Sequence, residues 1–202
     1  MAKAQLLRVE FKDFEKKIRS MYSRERQVKN AIYKVVSKTT KFAKSQTSKI
    51  IREEVNLKKE TVDKSIRAKN PSKGPVPTGT ITVSKSSRPN VASIPGATHN
   101  KTGVSYRFNK KKGRIKIRGG FFVKNSDLPN NRGGDRSYNL AFKRAGKKRL
   151  PIIALKAASP WGVLVAGQKS KTLVEDTKER MRKEMKEQIR VALLRNQGVI
   201  KS

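Results

Sequence analysis

From Pro71 to Ser170 the chain holds 21 lysines and arginines but only two acids, Asp127 and Asp135, an excess of +19 in about half its length. Any fold of that segment must spread its cations over solvent-facing positions or set them against an external anion, because bringing like charges together costs free energy. The whole 202-residue chain has 50 Lys+Arg against 15 Asp+Glu, a net +35, so the flanks hold the other 29 bases and 13 acids, or +16. Those flanks read as mixed-sign helices with solvated faces and i,i+4 pairs. The acid-poor middle reads as an electrostatic footprint for a polyanion or an acidic protein surface.

Periodicity assigns the flanks to helices. Val28, Ala31, Ile32, Val35, Thr39, Phe42 and Ala43 recur at three- and four-residue steps, with Lys29, Lys34, Lys38, Lys41 and Lys44 elsewhere on the wheel. A shorter amphipathic stretch with Phe11, Phe14, Ile18 and Met21 or Tyr22 precedes them. After Glu54, VNLKKETVDKSIRAKNP predicts a turn and a short helix ending before Asn70-Pro71, because a residue before proline is pushed out of the α region. Ser159-Pro160 has the form of an N-cap with proline at the first helical position. Leu173, Met181, Met185, Ile189, Ala192 and Leu193 then keep helical spacing toward Gln197 and a stop at Gly198, and GQKS at 167–170 is a point where this helix can divide.

The middle reads as loop and strand. Residues 70–103 carry Pro71, Pro75, Pro77, Pro89 and Pro95 among many Ser, Thr and Gly, with one strand expected at Thr80–Ser84. VSYRFNKKKGRIKIRGGFFV predicts a β-hairpin turning at Lys111-Lys112-Gly113. Tyr106, Phe108, Ile115 and Ile117 fall on one face, and cations on the other. SYNLAFKRA and KRLPIIALKA predict a second pair of strands turning at Ala145-Gly146-Lys147. Gly146 is expected to permit the turn, Leu150, Ile152 and Leu155 or Ile153 to enter the core, and Pro151 to mark an edge or bulge.

The expected fold is therefore α+β: a long N-terminal helix, a short second helix, an antiparallel sheet of about four or five strands, and a C-terminal helix. It reads as one structural domain with extensions: a helical region over 1–70, a loop-rich segment with one strand over 71–103, a basic β region over 104–158 and a C-terminal helix over 159–202. The N-terminal helix is too long for a domain of this size to cover, which points to packing against a neighbouring subunit.

Catalytic and metal signatures are not found. The one histidine, His99, lies in a Pro/Gly/Thr stretch, and with no cysteines it lacks the usual metal-binding companions. Asp127 and Asp135 read as solvated acids of a DLPNNRGGDR loop. No phosphate-binding loop occurs, and the paired glycines at 119–120 and 133–134 lack dinucleotide-fold spacing. The reading is a non-enzyme without cofactor or metal. No apolar run approaches the roughly 18 residues that span a bilayer, and Arg8, Glu10 and Lys12 interrupt any signal-peptide core. The expectation is a soluble product of a cytoplasm, or of a particle assembled there.

The candidate contact patch comprises Lys110, Lys111, Lys112, Arg114, Lys116 and Arg118 on the first hairpin, and Lys143, Arg144, Lys147, Lys148 and Arg149 on the second. Tyr106 and Phe108 fall on the apolar face, so base stacking is poorly served and attraction to a phosphate backbone suits these residues better. Residues 48–68 also admit a helix-turn-helix whose helix from Lys58 would enter a major groove. Plain helix packing of Ile50, Val55, Leu57, Val62 and Ile66 is the favoured reading, because the chain also carries a large basic β region that such regulators do not need.

Four segments, in order, carry a family resemblance: KKETVDKSIRAKNP at 58–71, TITVSKSSRPNVASIPGA at 80–97, GGFFVK at 119–124, and a motif formed by Phe142, Arg144, Gly146, Lys147, Arg149, Pro151 and Ile152. Together with a C-terminal helix after Ser-Pro, the chain resembles the minor tail protein Z family of lambda-like phages and prophages, a family of tail completion proteins, over roughly 25–195. The N-terminal extension and the loop 125–137 depart from the pattern.

The resemblance implies a structural virion protein of the phage neck or head-proximal tail end, assembled in the host cytoplasm, that makes the tail competent to join the head and pass the genome. It further implies a homo-oligomeric ring, a hexamer by tail symmetry, contacting a tail terminator, connector or tube, with non-specific contact to genomic DNA. Whether the basic surface meets DNA or an acidic neighbouring ring stays open at this point. So do a terminator or head–tail connector within the phage class and, outside it, a cellular DNA- or RNA-binding protein of regulator or ribosomal type.

Overall fold

Helix α1 (Glu25–Glu54) is the longest element, and its buried side chains follow the predicted stripe. In the computed structural model, residues 4–7, 25–69, 71, 78–124, 139–165 and 169–196 are described. They form two compact units, each drawn from separated stretches of chain: Lys3–Thr47, Ile66–Val83 and Gly167–Ser202 make a helical unit, and Ser48–Ser65 with Ser84–Ala166 a β-rich one. Stretches of the two units alternate along the chain.

In the helical unit, Ala31, Ile32, Val35 and Val36 of α1 form a buried cluster. Met181, Met185 and Ile189 of helix α4 (Lys169–Asn196) pack against it. Thr39, Thr40, Thr47 and Thr177 are buried as well. Three of these hydroxyls donate to the carbonyl four residues earlier: Thr40 to Val36, Thr47 to Ala43 and Thr177 to Leu173. Such bonds let a polar side chain sit in an apolar seam without losing its hydrogen bond. Glu184 joins the two helices. Its side chain is only 7% exposed and accepts from Lys38 Nζ at 2.9 Å and from the Arg180 guanidinium. Arg180 also lies over the Phe42 ring at 5.7 Å.

The same unit holds strands β1 (Ala4–Leu7), β2 (Ile66–Lys69) and β3 (Thr80–Val83), antiparallel in the order β1-β3-β2. The predicted short helix is therefore shorter than expected. Helix α2 (Lys59–Ser65) ends at Ser65, and Ile66–Lys69 pairs with Thr80–Val83 instead of continuing it. Burial of Ile66, Ile81 and Val83 is the tertiary gain that overrides local propensity.

The β-rich unit contains two further three-stranded antiparallel sheets. One is β4 (Thr98–Asn100), β5 (Gly103–Tyr106) and β6 (Ile115–Arg118). The other is β7 (Gly120–Lys124), β8 (Asn139–Arg144) and β9 (Ile152–Ala154). The α+β class holds, with a long helix towards each end, but among the described residues nine strands form three sheets where one sheet of four or five was expected. GGFFV causes part of that division. Gly119 turns the chain at φ 69, a conformation that favours glycine, so the Phe121-Phe122 strand leaves the hairpin and pairs with β8. A short 3₁₀ turn, Val91–Ser93, and strand β4 also order the stretch expected to be mostly loop.

Further departures concern the second hairpin. Gly146 has no positive φ and open space around it, so the turn does not need glycine there. The link between β8 and β9 is wider than three residues, closed where Ala145 N donates to Pro151 O at 3.0 Å. Leu150 and Ile153 are exposed, and Ile152 and Leu155 are half-buried. Pro151 stands just before β9, an edge strand, as its missing N–H predicts. At the C-terminus the predicted cap is present: Ser159 Oγ accepts from Trp161 N at the start of helix α3 (Pro160–Val165). Helix α4 starts at Lys169, and residues 166–168, where the helix was expected to divide, lie outside the described residues. The amphipathic stretch from Phe11 to Tyr22, the loop 125–137 with Asp127 and Asp135, and the stop at Gly198 lie outside the described residues.

Asn90 anchors the second sheet of this unit. Its Oδ1 accepts from Ala141 N at 2.8 Å and Ala92 N at 2.9 Å, while its Nδ2 donates to Ala141 O at 3.2 Å. The side-chain amide thus replaces a backbone peptide beside β8 and caps the 3₁₀ turn. Asn90→Ala strands the Ala141 N–H, while the Ala141 C=O keeps its bond from Leu155 N, and should cost about 1–3 kcal/mol in denaturant unfolding. In the helical unit, a Cβ on Gly79 would lie 2.0 Å from Thr40 Oγ1 and 3.2 Å from Val36 Cγ1. A helical threonine has few rotamers in which to yield. Gly79→Ala should therefore destabilise by about 1–3 kcal/mol, and adding Thr40→Ala should recover part of the loss in thermal melts.

Candidate polyanion interface

The register of β4, β5 and β6 sorts their side chains by chemistry. Val104 faces Ile117 and Tyr106 faces Ile115 across the β5–β6 pair, while Ser105 faces Lys116 and Gly103 faces Arg118. Directly opposed residues share a face. Val104 and Tyr106 are buried, and burial raises the Tyr106 hydroxyl above the usual phenol pKa. His99 lies in β4 on that side, not in a loop, with its ring 5.7 Å from Phe122. The opposite face is hydrophilic and cationic.

That face lines an open groove of about 610 Å³ whose walls include Thr98, Asn100, Thr102, Ser105, Lys116 and Arg118, with no acid among its lining residues. Its hydroxyl and amide groups are fixed by local geometry. Asn100 Oδ1 accepts from Thr102 N, Thr102 Oγ1 and Gly103 N, which shapes the β4–β5 turn. Gly103 is required where β5 meets β6, because at φ 145 an added Cβ would stand 2.1 Å from Ile117 O. Lys116 and Arg118 are exposed, and among the described residues neither has a carboxylate partner.

The six hairpin cations proposed from sequence therefore divide. Arg114 is a staple: its Nε donates to Ser105 Oγ at 3.0 Å, and its Nη2 reaches Gly96 O at 2.9 Å, Thr98 Oγ1 and Ser105 O. It ties the chain before β4 to β5 while keeping its charge in the groove wall. Lys110 and Lys111 complete the C-terminus of α1, whose last carbonyls lack helical donors. Lys110 N bonds Glu54 O at 2.9 Å, Lys110 Nζ bonds Arg52 O at 2.6 Å, and Lys111 Nζ pairs with Glu54 Oε1 at 2.9 Å. These three are structural as well as cationic. Lys112, Lys116 and Arg118 remain for an external anion.

The second cluster is separate along the chain and differently built. Lys143 and Arg144 end β8, Arg144 lying over the Phe121 ring at 5.9 Å, and Lys147, Lys148 and Arg149 occupy the exposed β8–β9 tip. None of the five has a carboxylate partner among the described residues. Elsewhere the proposed reading helix of a helix-turn-helix is the seven-residue α2, with Val62 and Ser65 buried and Ser48 Oγ bound to Asp63 Oδ1 at 2.6 Å. Its apolar residues serve packing.

Two features were missed from sequence. Thr98, Asn100, Thr102 and Ser105 entered no site, although Asn100-Lys101-Thr102-Gly103 carries a legible turn signal. Helix α1 was grouped with mixed-sign helices, yet from Arg26 to Arg52 it has eight bases and no acid. Among the described residues no three His, Asp or Glu side chains come together to hold a metal, and no helix is long and apolar enough to cross a membrane. No protein-family model, curated protein or solved structure matches the chain.

Replacing Arg114 by Lys preserves the charge but removes the planar fork that reaches four backbone and side-chain acceptors. Hydrogen exchange in Thr98–Tyr106 should accelerate by about tenfold, with a loss of about 1–2 kcal/mol in global stability.

Proposed function

We propose that this chain is a non-catalytic structural protein of a phage neck or head-proximal tail end, and that its β4–β5–β6 groove holds the phosphate backbone of the passing genome. The observation that carries the DNA part is the groove itself: cations, hydroxyls and an amide share one open face with no acid among its lining residues. Such a set neutralises phosphate and hydrogen-bonds its oxygens without reading base edges. No aromatic side chain lines that face, which leaves no platform for stacked bases. The neck assignment rests on the motif resemblance, and so does assembly as a homo-oligomeric ring, which would repeat the groove around a channel and sum its field.

The two parts are tested separately. Lys116→Ala with Arg118→Ala should lower the slope of log affinity for a short DNA duplex against log salt by about 2, since each phosphate contact contributes roughly one unit. An unchanged slope removes the groove from the DNA surface. Equal loss on all duplex sequences is expected, and strong sequence selectivity would favour a cellular regulator instead. For the neck role, phage particles lacking the chain should show defective tails or unjoined heads and tails by negative-stain microscopy. Normal, infectious particles would end that reading.

A further inference from the structure

The β8–β9 tip combines two properties that the groove lacks. Lys143, Arg144, Lys147, Lys148 and Arg149 crowd one end of the hairpin, and between and beside them Leu150 is 67% and Ile153 is 58% exposed. Lys143 and Ile153 are opposed across β8 and β9, so a cation and an exposed branched apolar side chain share one face. Lysines and arginines at a sheet edge are a common defence against unwanted pairing. That defence explains the charge but not Ile153, because an exposed β-branched residue on an edge strand invites pairing. A phosphodiester backbone explains the charge equally well but offers nothing apolar to cover Leu150 and Ile153.

The edge itself is open. Among the described residues, in the order β7-β8-β9, no strand lies beyond β9. Pro151 O and Leu155 N bond inward to Ala145 and Ala141, so in antiparallel alternation residues 151, 153 and 155 face β8. The backbone N–H and C=O groups of Ile152 and Ala154 consequently point outward.

We infer that the tip and the β9 edge dock an extended acidic segment of a partner protein, one in which carboxylates alternate with aliphatic side chains. Main-chain bonds to Ile152 and Ala154 supply the pairing, the carboxylates meet the tip cations, and the aliphatic residues cover Ile153 and Leu150. This surface is independent of the phosphate groove and does not require it. A second copy of the same chain is a poor source of such a segment, since it brings only 15 acids against 50 bases.

The test uses the full chain with two synthetic peptides of equal negative charge, one alternating Glu with Ile and one alternating Glu with Ser, and a short DNA duplex. The Glu/Ile peptide should bind about tenfold more tightly than the Glu/Ser peptide, the scale expected for covering two aliphatic side chains. Leu150→Ser with Ile153→Ser should abolish that preference while duplex affinity stays within about twofold. Both side chains are exposed, so unchanged thermal melting accompanies the result. Lys116→Ala with Arg118→Ala should leave the preference intact, which separates this surface from the groove. Absence of a peptide preference, or its survival in the serine variant, overturns the proposal. So does an equal loss of duplex binding in the serine variant, which would make the tip part of a nucleic-acid surface.

Discussion

With 50 bases and 15 acids, most cations in this chain cannot have an internal partner, and the structure depends on where its few carboxylates are placed. They sit at joints. Glu184 lies between α1 and α4 and takes both Lys38 and Arg180. Glu54 meets Lys111 where the long hairpin loop returns to the end of α1. Asp63 accepts from Ser48 and fixes α2 to α1. Glu60 and Glu179 pair with the lysines four residues on, which hold both carboxyls below their usual pKa. Those two are exposed surface pairs that matter little for stability. The buried or half-buried carboxylates tie together elements far apart in sequence.

The remaining cations are then sorted by backbone geometry. Arg114 and Lys110 find carbonyl and hydroxyl oxygens instead of carboxylates, so their charge survives while their positions become fixed, and Lys111 is fixed by the Glu54 carboxylate. Fixed cations are more useful to a ligand than flexible ones because less side-chain entropy is lost on binding. Lys116 and Arg118 project from the same face beside ordered hydroxyls, which is the chemistry of phosphate binding. At the β8–β9 tip the cations are accompanied by exposed aliphatic side chains, which is the chemistry of a protein contact. One basic composition thus yields two surfaces of different character.

Much of the local structure was legible. The stripe of Ala31, Ile32, Val35, Thr39 and Ala43 gave the buried face of α1, and alternation around Tyr106 and Ile115 gave the β5–β6 pair. The Ser159-Pro160 start also followed from side-chain chemistry alone. What failed was any inference that depended on a distant partner. Ile66–Lys69 looked helical until β3 was there to pair with it, and Leu150 looked like core until its hairpin was seen to project. Within the candidate site, cationic positions were visible as residue types. Their division into staples and free charges was not, because Gly96, Thr98 and Ser105 had first to be brought around Arg114.

The sequence by itself determined the α+β class, the helical stripes, the alternating faces and the excess of positive charge, since all of these are set by residue type and spacing within one element. Only the tertiary structure decided that, among the described residues, nine short strands form three sheets, that Asn90 supplies the missing peptide beside β8, and which cations remain without an internal partner. The physical reason is range. Helical and strand periodicities act over a few residues, whereas a hydrogen-bond acceptor for Arg114 or a carboxylate for Lys38 comes from segments about 18 and 146 residues away.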